Sequence, residues 1–214
     1  MIARCLGLLL ICQASMTWAD GLQSLENFLK SAASGRADFV QVVSSPAREG
    51  QAARNKTSSG SFQFVRPNRF RFDYKKPFEQ SIVADGQTLW FYDVDLKQVT
   101  ARPQAQALGA TPAALIAAAP NLQALQSDFN LTAAPDSEGL HWLLATPRAR
   151  EGQLRSIRVG FRTGDKGAEL SVLNIEDNFG QHSVLRFSKI EINPRLPAES
   201  FLFKPPKGVD VIRP

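Results

Sequence analysis

Bond-making chemistry usually draws on histidine, cysteine or paired carboxylates, and this 214-residue chain places few of them where they could cooperate. Its two histidines are His141, beside Trp142 in an alternating segment, and His182, just after the turn-like Asn178-Phe179-Gly180. Neither has a cysteine or a carboxylate pair close in sequence, so neither reads as a metal ligand or a general base. Both cysteines, Cys5 and Cys12, fall at the very start of the chain. Asp73, Asp85, Asp93 and Asp95 sit at strand ends and turns, where a short carboxylate commonly bonds the local backbone. No nucleophile elbow, Walker loop, dinucleotide fingerprint or His-Glu-x-x-His pair occurs. The reading is of a protein that is not an enzyme, with no catalytic residue, no metal and no cofactor. An enzyme acting on lipid ranks last among the alternatives.

What the chain has instead is aromatic carbon, with 14 Phe and 3 Trp. The densest stretch runs from Val65 to Arg102. Phe70, Phe72 and Tyr74 recur at every second position, which on a strand sends them to one face and sends Arg69, Arg71 and Asp73 to the other. Phe62 and Phe64 alternate in the same way just before it, and Leu89 and Phe91 follow the Asp85-Gly86 pair, a hairpin-turn signature. Trp90, Phe91 and Tyr92 are consecutive, so both faces of that strand carry rings and one needs a cover other than water. Two uses fit this wall: an ordinary core, or the lining of a pocket for an acyl chain, which needs a curved sheet and a removable lid. Periodicity alone leaves both open.

The elements that would position such a wall follow from the order of the chain. Residues 1–19 read as a cleaved secretory signal, with Arg4, an apolar centre from Leu6 to Cys12, and Thr17-Trp18-Ala19 before Asp20. The bulky Ile11 before Cys12 argues against lipidation. Residues 20–214 then form one domain without a cysteine, hence without a disulfide. Loss of the signal removes one arginine and no acid, so 25 Lys+Arg become 24 against 20 acids, a net charge of +4. The basic residues are scattered, which excludes nucleic acid as the expected partner.

Leu22, Leu25, Phe28 and Leu29 predict an amphipathic helix. Strands are expected over Asp38 to Ser45, Ser59 to Val65, Arg69 to Tyr74, Ser81 to Asp93 as a hairpin, and Lys97 to Arg102, with Ala47 to Ser59 as a surface loop. Thr111-Pro112 opens a short apolar helix containing Leu115 and Ile116 and ended by Ala119-Pro120. A helix without a polar face is buried, so it is placed across the mouth or interior of the curved sheet. Helical turns from Asn121 to Gln126 follow. Further strands are expected over Phe129 to Ala133, Leu140 to Thr146, Ser156 to Phe161, Glu169 to Asp177 and His182 to Asn193, with a last one at Phe201 to Phe203. The sum is an α+β fold, one antiparallel sheet of ten or eleven strands rolled round helices.

Arg66-Pro67-Asn68-Arg69-Phe70, the run Ser81-Ile82-Val83-Ala84-Asp85-Gly86-Gln87-Thr88-Leu89-Trp90-Phe91-Tyr92, Thr111-Pro112 and Phe-Leu-Phe-Lys-Pro-Pro-Lys-Gly from Phe201 to Gly208 resemble, in order and spacing, the periplasmic outer-membrane lipoprotein carrier family, LolA. The resemblance covers essentially the whole mature chain. It implies an incomplete antiparallel β-barrel of about 11 strands closed by a lid of short helices. It also implies a monomeric periplasmic carrier of acylated lipoproteins. Cargo would come from an inner-membrane ABC transporter (LolCDE-like) and go to an outer-membrane lipoprotein receptor (LolB-like). By the same resemblance, Arg66 latches the lid by bonding backbone in the lid helices and Phe70 lies at the cavity entrance. Phe62, Phe64, Phe72, Tyr74, Leu89 and Phe91 complete the acyl-chain cavity, and Leu115 and Ile116 belong to the lid helix. The alternative reading is an exported sensory or structural module of the same fold that binds a lipoprotein or peptide as a signal.

Overall fold

The computed structural model describes residues 21–47, 52–107, 118–149, 152–165 and 167–213. The expected signal segment, Thr111-Pro112 and the lid-helix residues Leu115 and Ile116 lie outside them. The first helix is present as α1 (Gly21–Ser31), which buries Leu25, Phe28 and Leu29 at i, i+3 and i+4. Its solvent side carries a Lys30–Glu26 ion pair, one turn apart.

Twelve strands make a single sheet: β1 (Ser34–Ser45), β2 (Arg54–Val65), β3 (Arg69–Lys76), β4 (Gln80–Ala84), β5 (Thr88–Asp93), β6 (Gln98–Pro103), β7 (Phe129–Ser137), β8 (Leu140–Pro147), β9 (Leu154–Gly164), β10 (Gly167–Asp177), β11 (His182–Ile192) and β12 (Asp210–Ile212). Their spatial order is β12-β6-β5-β4-β3-β2-β1-β11-β10-β9-β8-β7, a curved sheet with two free ends, so it is unclosed. Two meanders meet where β1 pairs with β11, and register shifts at Arg36/Asp38, Ser59/Gly60 and Leu170/Val172 bend the strands at bulges. Short helices α2 (Gln104–Ala107) and α3 (Leu122–Asp128) follow β6 and precede β7, and Asn121 caps α3 by accepting from the Ala124 amide at 2.8 Å.

The inner face of the sheet carries the main core, with α1 packed on its β7–β10 half. Its rings include Phe28, Phe39, Phe62, Phe64, Phe70, Phe72, Phe161 and Phe187, all buried. A smaller cluster of Leu140, Trp142 and Val172 lies apart from it, extended by Ala134 and Val184.

Three local expectations are corrected. The loop expected up to Ser59 is strand from Arg54, because Arg54 to Ser58 pair with β1 through backbone groups that hydropathy does not register. Phe201 to Phe203 is not a strand: a 3₁₀ turn, Ala198–Phe201, is followed by extended chain, and the last strand is β12. That strand pairs in parallel with β6, Asp210 opposite Gln98, so the sheet is not wholly antiparallel. The segment from Ala198 to Ile212 thus straps the outer face of β3 to β6. Phe201 is 1% exposed there, and Phe203 sits 5.4 Å from Trp90 and 5.8 Å from Tyr92, ring centre to ring centre. Consecutive aromatics on β5 were expected to need a cover other than water on one face; on this face the cover is the chain's own C-terminal stretch.

Candidate functional site: an aromatic inner face and its arginine

Cross-strand register brings the wall together. Phe64 lies opposite Phe70, Phe70 opposite Ala84, and Ala84 opposite Leu89; one level along, Phe62, Phe72, Ile82 and Phe91 form a second row. Directly paired residues share a face, so every residue expected to line the cavity and described here is on the inner side. Phe62 and Phe72 stack at 4.3 Å, Phe39 meets Phe72 edge-on at 5.5 Å and Tyr74 at 5.0 Å, and Phe187 closes on Phe62 at 5.7 Å. Phe28 of α1 reaches down to Phe64 and Phe161. Phe91 differs from the rest: it is on the inner side by register yet 39% exposed, at the end of its row furthest from α1.

Among the described residues, the corner of this face beside Phe28 and Phe64 is filled by its own side chains. The apolar cavity bounded by Phe28, Ala37, Phe62, Phe64, Leu170 and Phe187 holds about 20 Å³. That pocket has room for a water molecule and not for an acyl chain.

Arg66 stands at the margin of this packing. It precedes Pro67 in a cis peptide and begins the β2–β3 turn, where Asn68 has a positive φ of 62°. Its Nε donates to Ala32 O at 2.8 Å and its Nη1 donates to Ala119 O, while the guanidinium plane lies 4.9 Å from Phe28 and 5.1 Å from Phe64. Its Nη2 is buried without a partner among the described residues. Burial pulls its pKa down to about 10, which leaves the side chain charged at neutral pH. Ala32 follows α1, whose last carbonyls carry the negative end of the helix dipole, and a cation there is favoured on that ground as well. Two backbone bonds reinforce the join: Arg66 N donates to Ala33 O at 2.9 Å and Asn68 N to Ala118 O at 3.0 Å. Ala118 and Ala119 are themselves buried in the main core.

Sequence reasoning missed two residues that hold this corner. Gln104 is 3% exposed and joins two turns, donating to Asn68 O at 2.6 Å and accepting from Gly86 N at 3.0 Å. Asn193, at φ 56°, accepts from Ala33 N and donates to Ser31 O, both at 2.8 Å, and so caps the chain leaving α1. The only sequence signal for Asn193 was an Asn before Pro194; for Gln104 there was none, since a lone glutamine after a strand reads as surface.

The carboxylates behave as local fasteners. Asp85 accepts from Gln87 N at 2.8 Å, Thr88 N at 2.7 Å and the Trp90 indole at 3.0 Å. Partial burial opposes its charge, but the bonds from Thr88, Trp90 and Gln87 outweigh that and hold its pKa below the ordinary carboxylate value. Asp73 pairs with Arg71 at 2.6 Å and accepts from Ser81 at 2.7 Å. His141 meets a single carboxylate, Asp136, at 2.8 Å on the surface. Among the described residues no group of three His, Cys, Asp or Glu could hold a metal ion, and no helix is long and apolar enough to cross a membrane.

Residues 30–204 match the family model described as outer membrane lipoprotein carrier protein LolA. The chain belongs to this family. An outer-membrane lipoprotein carrier protein of Albidiferax ferrireducens is 66% identical over 200 residues, covering 94% of each chain. One of Leptothrix cholodnii is 50% identical over 96% of this chain and 92% of its own. One of Neisseria meningitidis serogroup B is 38% identical over 91% of this chain and 87% of its own. Among solved structures, an uncharacterized conserved protein from Thermus thermophilus aligns with a TM-score of 0.53 over 91% of this chain and 97% of that one. A LolA superfamily protein of Nitrosomonas europaea aligns with a TM-score of 0.50 over 86% and 98%. Each is 14% identical, a likeness of fold alone. Membership in the LolA family places the aromatic face and its arginine in a setting where lipoprotein cargo is the question to test.

Proposed function

We propose that this LolA-family protein carries outer-membrane lipoproteins through the periplasm. Their acyl chains would lie on the Phe62–Phe64–Phe70–Phe72 face, arriving from an inner-membrane ABC transporter and leaving to an outer-membrane receptor. Export by a signal at residues 1–19 belongs to the same proposal. The three sequence relatives of Albidiferax, Leptothrix and Neisseria are each called carriers, so the sensory reading is not carried forward.

The observation that supports the mechanism is the closure of an apolar face through a few bonds from one buried arginine. Each methylene moved out of water contributes about 0.8 kcal/mol, so one long acyl chain contributes on the order of 10 kcal/mol. Such cargo would not be released on a useful timescale unless loading also costs something. Opening the inner face breaks the bonds of Arg66 to Ala32 O and Ala119 O, and each charge-assisted bond is worth about 1.5–3 kcal/mol. That cost offsets part of the acyl gain, leaves the loaded state only moderately stable, and makes transfer to a tighter receptor run downhill.

The test is Arg66→Leu. With purified wild-type protein, incubation with spheroplasts yields a soluble one-to-one complex with triacylated lipoprotein. The variant is expected to load as well or better and to hand cargo to receptor at least tenfold more slowly, because the empty closed state no longer draws it back. Onward transfer at the wild-type rate would sink the latch role.

A further inference from the structure

We propose that the end of the sheet away from Arg66 is a docking rim for an anionic phospholipid surface, seated by one apolar side chain on each of three hairpin tips; this stands apart from where cargo is held. Strand order sends the β3–β4, β5–β6 and β10–β11 turns to that end, beyond the pairs Tyr74–Gln80, Asp93–Gln98 and Glu176–His182. Each turn lifts a large apolar residue into solvent: Phe78 is 53% exposed, Leu96 70% and Phe179 61%. The hairpin turns at the opposite end carry Pro67-Asn68, Gly86-Gln87, Glu138-Gly139 and Asp165, with no large apolar side chain among their described tip residues. Isolated exposed hydrophobics are ordinary, but three on the tips of one rim and none on those of the other are a pattern. At about 4.8 Å between strands, the Leu96 and Phe78 tips stand roughly 10 Å apart along the sheet, and the Phe179 tip roughly 19 Å further on.

Hydrogen bonds hold these tips in place. Leu96 N donates to Asp93 Oδ1 at 3.0 Å and Phe179 N to Asp177 Oδ1 at 2.8 Å, so a carboxylate fixes the backbone of each turn. Val94 N donates to Glu79 O at 3.2 Å and ties the β5–β6 turn to the β3–β4 turn. Around them Arg54, Lys56, Lys75, Lys76, Lys97 and Lys207 are exposed, Lys207 lying in the turn that leads to Asp210 opposite Gln98. None of these six cations is in an ion pair among the described residues. Of the acids at this end, Asp93 and Asp177 are engaged by their own turns and Glu176 by Arg155, which leaves Glu79, Asp95 and Asp210 against the six. Lys56 Nζ lies 5.2 Å from the centre of the Phe78 ring, an apolar body with an ammonium beside it. That pairing suits a lipid interface, where a ring enters the acyl boundary while the ammonium meets phosphate. A folded protein offers a pocket to contiguous surface. Three single side chains on separated convex tips fit a surface that deforms round each of them, and unpaired cations fit its anionic headgroups.

The test uses the chain from Asp20, which contains every described residue and no cysteine, so that residues 1–19 cannot themselves bind lipid. Sedimentation with vesicles of phosphatidylglycerol and phosphatidylethanolamine is expected to carry wild type down, weakened by added salt, with affinity about tenfold lower for phosphatidylcholine alone. Phe78→Ser/Leu96→Ser/Phe179→Ser is expected to lose about tenfold in affinity for the anionic vesicles, at an unchanged urea midpoint. A single fluorophore sensitive to polarity, placed through Leu96→Cys or Phe179→Cys, is expected to shift its emission to the blue on anionic vesicles, and one placed through Gln87→Cys at the opposite end is not. Absence of vesicle binding by wild type, equal binding by the triple variant, or a shift only at position 87 overturns the rim. Binding of wild type, but not of the triple variant, to native membrane vesicles and not to protein-free lipid would assign the tips to a membrane protein and overturn the lipid surface. Affinity of the triple variant for a synthetic triacylated lipopeptide in solution is expected to match wild type. Failure of both to bind that lipopeptide overturns the carrier reading and leaves the rim standing.

Discussion

The two faces of β3 to β6 are both aromatic, and they are covered in opposite ways. On the inner face, Phe70, Phe72 and Leu89 are buried in the main core, and at its margin the cover is held by Arg66 through Ala32 O and Ala119 O. On the outer face, Val83, Trp90, Val99 and Ala101 lie under a continuous stretch of chain that contributes Phe201 and Phe203 and ends as β12 in the ladder of β6. One cover hangs on a few polar contacts that can be exchanged one by one. The other is covalently continuous with β11, hydrogen-bonded as a strand and plugged by a fully buried ring. Equal aromatic content therefore says little about function; on the carrier proposal, how the covering segment is attached separates the face that opens from the one that stays covered.

The comparison is broken most severely from the outer side. Phe201→Ala removes a ring that is 1% exposed. The expected cost is about 3–5 kcal/mol of stability, read by urea titration, which for a chain of this size corresponds to a fall in Tm of roughly 10 °C. Lipopeptide affinity per folded molecule is expected to be unchanged. A matched loss of affinity would show that the outer cover is coupled to the inner one.

The next effect comes from the inner side. A Cβ at Gly35 would lie 2.3 Å from Cε1 of Phe64, a ring already wedged between Phe28 and Phe62. Gly35→Ala should destabilise the empty protein by about 1–3 kcal/mol through overpacking. If Phe64 swings aside when an acyl chain enters, the loaded protein suffers less, so thermal unfolding with and without triacylated lipopeptide should show a smaller loss in its presence. Equal losses in both states would mean that Phe64 keeps its place during loading.

Much of this was legible in the sequence, for physical reasons that can be named. Period-two alternation placed Phe62, Phe64, Phe70, Phe72 and Tyr74 on one face, because side-chain direction in a strand is fixed by the backbone. Helical spacing located α1 for the same reason. The exposure of Phe91 was not legible, since it depends on how far the cover reaches rather than on register. The first half of β2 escaped because Arg54 to Ser58 hold their place by backbone pairing with β1. The strap escaped because Lys204-Pro205-Pro206-Lys207 carries no period, although its flanks, Phe201 with Phe203 and Val211, are anchored by rings and by β6. At the corner, resemblance pointed to Arg66, but nothing local identified Ala32 and Ala119 as its acceptors. Carbonyls carry no residue signature, and their position is decided by where two distant segments end.

The smallest expected effect tests the hairpin that serves both faces. Asp85 sits in the β4–β5 turn, where its carboxylate bonds two backbone amides and the indole of Trp90, which turns that ring onto Phe203. Asp85→Asn keeps the shape and removes the charge. At neutral pH the loss should be about 1 kcal/mol, the lower part of the range for bonds to a charged acceptor once solvent screening of a half-exposed group is allowed for. The sign of its pH dependence follows from the depressed pKa. The folded protein binds the proton of Asp85 less readily than the unfolded chain, so the stabilisation is fully present above the ordinary carboxylate value of 3.8 and is lost as pH falls through the lower folded value. The difference between wild type and Asp85→Asn should therefore be constant from pH 8 to about 5 and shrink below about 4, read from urea midpoints at each pH. Since Trp90 and Phe203 lie on the permanent side, lipopeptide affinity should not follow that curve. If it did, the turn would be transmitting strain from the outer face to the acyl face, and the two covers would have to be treated as one device.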